Sequence, residues 1–202
     1  MGFFIMGQRG RKQGSIGVES KTKLLTIATE EFATNGFHET KISTIVKKAG
    51  VTQPTFYLYF HSKEAIFQEL VTHFRTKLTD LTKESRLETG LDVNTLPGRI
   101  AVGLSAIFNF LDEDHQLTKI GFFISTEADD IKSQIADQIA SNLMSEQKDG
   151  YFRKDIDMRI VADGLVGVIE RLTVTSLFKG LKKPDELARE IVDLFLYGLQ
   201  IQ

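Results

Sequence analysis

Three prolines, at positions 54, 97 and 184, constrain this chain of 202 residues more than any other feature. Proline lacks a backbone N–H and clashes with the preceding turn, so it disrupts a helix interior yet is tolerated in a first turn. Each of the three falls where a helix could begin. The long proline-free stretches between them carry apolar residues at helical spacing. Strand-like alternation bounded by turn pairs is absent, apart from the aromatic run Phe56–Phe60. The pattern predicts an all-α fold. Hydrophobic residues make up 42% of the chain, enough for a real core in one large domain or in a small domain joined to a larger one.

There is no cysteine. That excludes disulfides, zinc–thiolate sites and a cysteine nucleophile, and fits a reducing cytoplasm. No run approaches the roughly 20 apolar residues of a membrane span, so no membrane partner is expected. The short run FFIM near the start is followed, not preceded, by basic residues, unlike a signal peptide. Residues 1–18 read as a disordered basic tail, with a DNA-touching arm as the sharper alternative. Residues 1–62 hold eight Lys/Arg against four Asp/Glu, a balance of +4. The remaining 140 residues hold 17 against 23, a balance of −6. A basic end on an acidic body suggests two jobs in one chain.

The first helix is expected over about Ser20–Asn35, with Leu24, Leu25, Ala28 and Phe32 on one face and Gly36 as its stop. The second is expected over Lys41–Ala49, capped by Thr40, with Ile42, Ile45, Val46 and Ala49 on one face. Gly50 ends it. A short third helix, Gln53–Phe60, follows, with Thr52 as cap and Pro54 in the first turn. A long fourth helix opens at Lys63 after Ser62 and runs to about Arg86. Two short helices joined by Gly50-Val51-Thr52 form a helix-turn-helix pattern, whose second helix suits the width of a DNA major groove. On a helical wheel Phe56 and Phe60 share the core side. Tyr57 and Tyr59 flank the exposed side, where a hydroxyl can reach a phosphate oxygen. Gln53 and Thr55 can reach base edges. Lys63 suits a phosphate, since a cation in a helix's first turn is otherwise slightly unfavourable. Lys47 and Lys48 read as a solvated face.

Thr40, Ile45-Val46, Ala49-Gly50-Val51, Thr55-Phe56-Tyr57-Leu58-Tyr59-Phe60 and Ser62-Lys63-Glu64 closely resemble the N-terminal domain of TetR-family transcriptional regulators. Leu24-Leu25, Ala28, Phe32 and Gly36-Phe37 fit that family's first helix. The resemblance covers about residues 20–75. It implies a dimeric, all-α repressor with a DNA-binding head on a ligand-binding body. In that family a small molecule in the body moves the fourth helix and changes the spacing of the heads. Carried over by position, Thr40, Gln53, Pro54, Thr55, Tyr57, Tyr59 and Lys63 match DNA-contacting places, with a double-stranded operator as partner. The expected domains are residues 19–65 for DNA binding and 66–202 for ligand binding and dimerisation.

Phe74, Phe108, Phe122 and Phe123 are candidates to line a pocket for an apolar effector, against ordinary core packing. Apolar faces on the last two helices, from Ile160 to Leu177 and from Leu187 to Leu199, suit a four-helix homodimer interface. The four histidines show no ligand spacing, so neither a metal nor another cofactor is expected. An all-α enzyme is the rival reading, but no carboxylate pair, nucleophile–base set or phosphate loop supports it. Glu127, Asp129 and Asp130 are explained by a helix N-terminus. A protein-interaction adaptor is the other rival.

Overall fold

The computed structural model describes residues 13–199, and among these all regular structure is helical. The chain divides into two compact units, the first ending at Phe67 and the second beginning at Gln68.

The first unit is built on α1 (Gln13–Glu39), α2 (Ile42–Ala49), α3 (Gln53–Tyr57) and the opening of α4 (Lys63–Glu84). Helix α1 starts earlier than expected, so residues 13–18 of the expected tail are helical, while residues 1–12 lie outside the described residues. Its direction breaks at Gly36, whose φ of 78° and ψ of 167° only glycine adopts cheaply. Phe37 then turns back to stack on Phe32 and meet Phe67 edge-on. Gly50 closes α2 in the left-handed conformation, φ 66° and ψ 29°, as its position after the apolar face suggested. The core of this unit is Leu24, Ala28, Phe32, Ile45, Phe56, Phe60 and Ile66, all buried.

Three local expectations need correction. Thr40 does not cap α2. Its hydroxyl donates to the Gly36 carbonyl at 2.7 Å, and the N-cap residue Lys41 makes no side-chain cap bond. Helix α3 ends at Tyr57, because the backbone tightens there into turn bonds such as Tyr59 N–H to the Phe56 carbonyl at 3.0 Å. Lys48 is not merely solvated. It pairs with Glu31, a buried carboxylate on α1 that also accepts from Asn35. Thr52 and Ser62 do cap as expected, accepting from the N–H groups of Thr55 and Ala65.

The second unit holds the rest of α4, then α5 (Leu96–Glu113), α6 (His115–Lys119), a π-helical turn (Ile120–Ile124), α7 (Ala128–Lys148), α8 (Met158–Leu172), a second π-helical turn (Thr173–Leu177) and α9 (Pro184–Tyr197). Pro97 and Pro184 each sit in a first helical turn. Asp114 and Asp157 cap α6 and α8 by accepting from backbone N–H groups two residues on, at 2.9 and 2.8 Å. Helix α5 packs along α9, and α7 along α8. Gly121 is required by a close approach: a Cβ there would lie 2.1 Å from the Phe74 ring. The end of α4 and the segment after it are tied down by three bonds that involve backbone groups. Asn142 donates to the Thr82 carbonyl, Leu87 N–H donates to Glu146, and the Tyr151 hydroxyl donates to the Glu88 carbonyl, each at 2.8 Å.

Candidate functional site

In the first unit, Phe56 anchors α3 from the inside and turns the neighbouring residues outward. Its ring lies 5.4 Å from Tyr57 and 5.6 Å from Phe60, and both phenylalanines are buried. Gln53, Pro54, Tyr57 and Leu58 are exposed as a result, Tyr57 at 50% and Leu58 at 79%. Thr55 and Tyr59 are half-buried. The Thr55 hydroxyl shares a 2.8 Å hydrogen bond with that of Thr52, which orders both at the mouth of α3. An exposed leucine and tyrosine on so short an element have no role in the core of this unit. An apolar side chain and a phenol displayed beside Gln53 can touch thymine methyls, phosphate oxygens and base edges.

Two of the residues expected to contact DNA are placed differently. Thr40 is 2% exposed, and its hydroxyl is directed at α1. The Lys63 ammonium donates to the carbonyls of Phe37, His38 and Thr40 at 2.7, 3.2 and 3.0 Å. An ammonium has three protons, so these carbonyls account for its donors. It also lies 4.5 Å from the Phe37 ring centre. A cation in the first turn of α4 is thus offset by the carbonyls at the end of α1. Both residues brace the unit; Gln53, Pro54, Thr55, Tyr57 and Tyr59 are the open or half-open members of the set. Sequence reasoning missed the Lys48–Glu31 pair, although Glu31 stands at an apolar-face position three residues after Ala28.

The second unit holds a partly open cavity of about 410 Å³. Its walls are mostly aliphatic, with Leu104 and Ile107 of α5, Ile139 of α7, Leu165 of α8 and Ile191 of α9 among them. Polar groups enter from one stretch of α7 and its surroundings: Asn142 and Glu146, one helical turn apart, with Ser85, Tyr151 and Arg153. None of Phe74, Phe108, Phe122 and Phe123 lines it. Phe74 and Phe122 instead pack on each other at 5.2 Å, Phe108 is fully buried, and Phe123 is 41% exposed. A cavity is volume left between several helices, so single aromatic residues do not announce it. Asn142 and Glu146 were the legible signal, being polar residues on the face that Ile131 and Ile135 begin.

Glu146 is 4% exposed, and burial pushes its carboxyl above the ordinary carboxylate range. The Leu87 N–H and the Arg86 charge work against that rise, and Asp149 adds to it. Two of the three acidic residues at the start of α7 are ion-paired, Glu127 with Arg75 and Asp129 with Lys132. Among the described residues no group of His, Asp and Glu side chains could hold a metal ion, and no helix is long and apolar enough to cross a membrane.

A family model described as bacterial regulatory proteins, tetR family, matches residues 24–70. The chain is 50% identical over 185 residues to the uncharacterised HTH-type transcriptional regulator YdgC of Bacillus subtilis (strain 168), spanning 92% of this chain and 95% of that one. It is 26% identical to the fatty acid metabolism regulator protein of the same organism, over 88% of this chain and 94% of that one. Among solved structures it superposes on the transcriptional regulator FadR from Bacillus subtilis in complex with stearoyl-CoA. There the TM-score is 0.67 at 22% identity, covering 89% of this chain and all of the other, a likeness of fold. The helix-turn-helix geometry, the all-helical body and the near-full-length identity agree: this chain is a DNA-binding transcriptional regulator and belongs to the TetR family.

Proposed function

We propose that the protein is a homodimeric repressor, acting in the cytoplasm, that leaves its operator when a small apolar molecule fills the cavity of the second unit. The observation that carries this reading is the cavity itself. At about 410 Å³, with aliphatic walls and a few polar groups at one end, it falls in the range of small-molecule sites. The transcriptional regulator FadR from Bacillus subtilis, whose fold this chain shares and whose structure holds stearoyl-CoA, supports an effector with a long apolar portion. Residues 19–65 act as the DNA-binding domain and residues 66–202 as the effector-binding and dimerising domain. Gln53, Pro54, Thr55, Tyr57 and Tyr59 supply the operator contacts. Ile160 on α8 is 70% exposed, and Leu194, Phe195 and Tyr197 of α9 are also exposed, which suits coverage by a second copy.

Effector and operator are coupled by a free energy of about 1–3 kcal/mol in typical cases, and the coupling is reciprocal. Fluorescence anisotropy with DNA from upstream of the protein's own gene tests the reading. Operator affinity falls steeply with salt, because phosphate contacts release counterions. Adding a long-chain apolar compound that fills the cavity weakens binding by roughly 5- to 150-fold. Affinity unchanged across a broad panel of long-chain compounds overturns the effector reading, and a monomer by sedimentation at micromolar concentration overturns the dimer.

A further inference from the structure

The polar groups of the cavity are not equivalent. Ser85 donates to the Thr82 carbonyl, and Asn142 donates to the same carbonyl while accepting from Gln138. The Tyr151 hydroxyl both donates to Glu88 and accepts from Leu91 N–H, at 2.8 Å each. Arg153, the cation among the lining residues, is clamped by both carboxylate oxygens of Asp155. Glu146 differs from these. Its Oε1 accepts from the Leu87 N–H at 2.8 Å, and among the described residues no other hydrogen bond reaches its carboxylate. Its Oε2 accepts no hydrogen bond from the described residues and is not sealed off, lying on the lining of the mostly aliphatic cavity. The nearby charges acting on it are Arg86 and Asp149, and Arg86 is directed at the Ser145 hydroxyl at 2.7 Å.

Resting on the reading of this cavity as the effector site, we infer that Glu146 is the recognition group for the effector's buried end, and that this end carries a hydrogen-bond donor and no negative charge. A hydroxyl, an amide N–H or an ammonium meets the unfilled acceptor of Glu146. A carboxylate brings a second negative charge into the same low-dielectric space, with no uncommitted cation in the lining to receive it. The enclosure therefore sorts amphiphiles of equal chain length by their heads. It discriminates against a free fatty-acid anion whose head enters, and admits alcohols, amides and amines. Burial, which already disfavours the ionised carboxyl, acts in the same sense, because a donor restores part of the lost solvation.

The test is calorimetric titration of the full-length protein with decan-1-ol, decylamine, decanoate and methyl decanoate, in mildly alkaline buffer to keep Glu146 ionised. Decanol or decylamine is expected to bind at least about tenfold tighter than decanoate, a difference of about 1.4 kcal/mol. Methyl decanoate, neutral but without a donor, is expected to fall below decanol, which separates the need for a donor from charge repulsion. In Glu146→Gln the amide oxygen still accepts from Leu87, and the gap between decanol and decanoate is expected to narrow to within about threefold. Decanoate or methyl decanoate binding as tightly as both donor compounds in the native protein overturns the inference, whether or not the variant folds. So does an undiminished gap in a folded Glu146→Gln protein. Binding of none of the four overturns the effector reading of the cavity, and this inference with it.

Discussion

The two units use their polar side chains in opposite ways. In the first, several polar side chains near the helix ends are committed to bracing the frame. Thr40 and Lys63 hold the end of α1, Thr52 holds the start of α3, and Glu31 and Lys48 join α1 to α2. What is left exposed, Gln53, Pro54, Tyr57 and Leu58, is therefore presented on a fixed frame. In the second, the walls around the cavity are aliphatic, and a buried carboxylate keeps an acceptor open toward it. On the proposed reading, a surface that matches a rigid duplex is prepared by saturating its supports, and a site for a small guest by leaving volume beside one polar group.

The largest effects should separate filled from unfilled cores. Phe56→Ala removes a fully buried ring from the small first unit and is expected to cost about 3–5 kcal/mol of its stability, abolishing operator binding as that unit melts. Ile107→Ala, almost as buried but facing the cavity, is expected to cost less than about 2 kcal/mol, since its neighbours already border empty volume. Equal losses in urea unfolding would break the contrast. Next come two substitutions on the same face of function. Lys63→Met removes charge-assisted bonds to three carbonyls and should cost about 1.5–3 kcal/mol in stability. Tyr57→Ala should leave the melting temperature unchanged while weakening the operator complex by about 1–3 kcal/mol. If Lys63→Met lowers affinity with no loss of stability, Lys63 belongs with the contact residues after all.

The smallest effect concerns pH. The Glu146 carboxyl titrates above its ordinary value of 4.5 in the folded protein. Its favourable contribution is therefore fully present below about 4.5 and is lost as pH rises through the raised folded value. Glu146→Gln should accordingly melt slightly higher than the native protein at neutral pH, with the gap closing as the pH falls toward 4.5. A gap that widens on acidification would show that Glu146 is stabilised as an anion, and the second unit would then resemble the first.

These differences also explain what could be read from the residues alone. The three prolines, Gly50 and the caps Thr52 and Ser62 act through local backbone geometry, which depends on a few neighbouring positions, and each was legible. The outward turn of Tyr57 beside an inward Phe56 followed from helical spacing. The bracing role of Lys63 did not, because its partners are carbonyls at the end of α1 and just after it, 23 to 26 residues away. The cavity was the least legible. Its walls come from α5, α7, α8 and α9, and its volume depends on how those helices pack. The phenylalanines drew attention by size, yet large rings such as Phe74 fill space so completely that only glycine fits beside them at position 121.

The three-carbonyl grip on Lys63 has a consequence for chemistry as well as for folding. An amine reacts with an electrophile only where the reagent can reach its nitrogen, and that of Lys63 is held among three carbonyls and over the Phe37 ring. Lys47 stands exposed on α2. Acylating reagents should therefore mark Lys47 promptly and Lys63 only when the end of α1 opens, so the two lysines together form a reactivity clock for motions of the DNA-binding head.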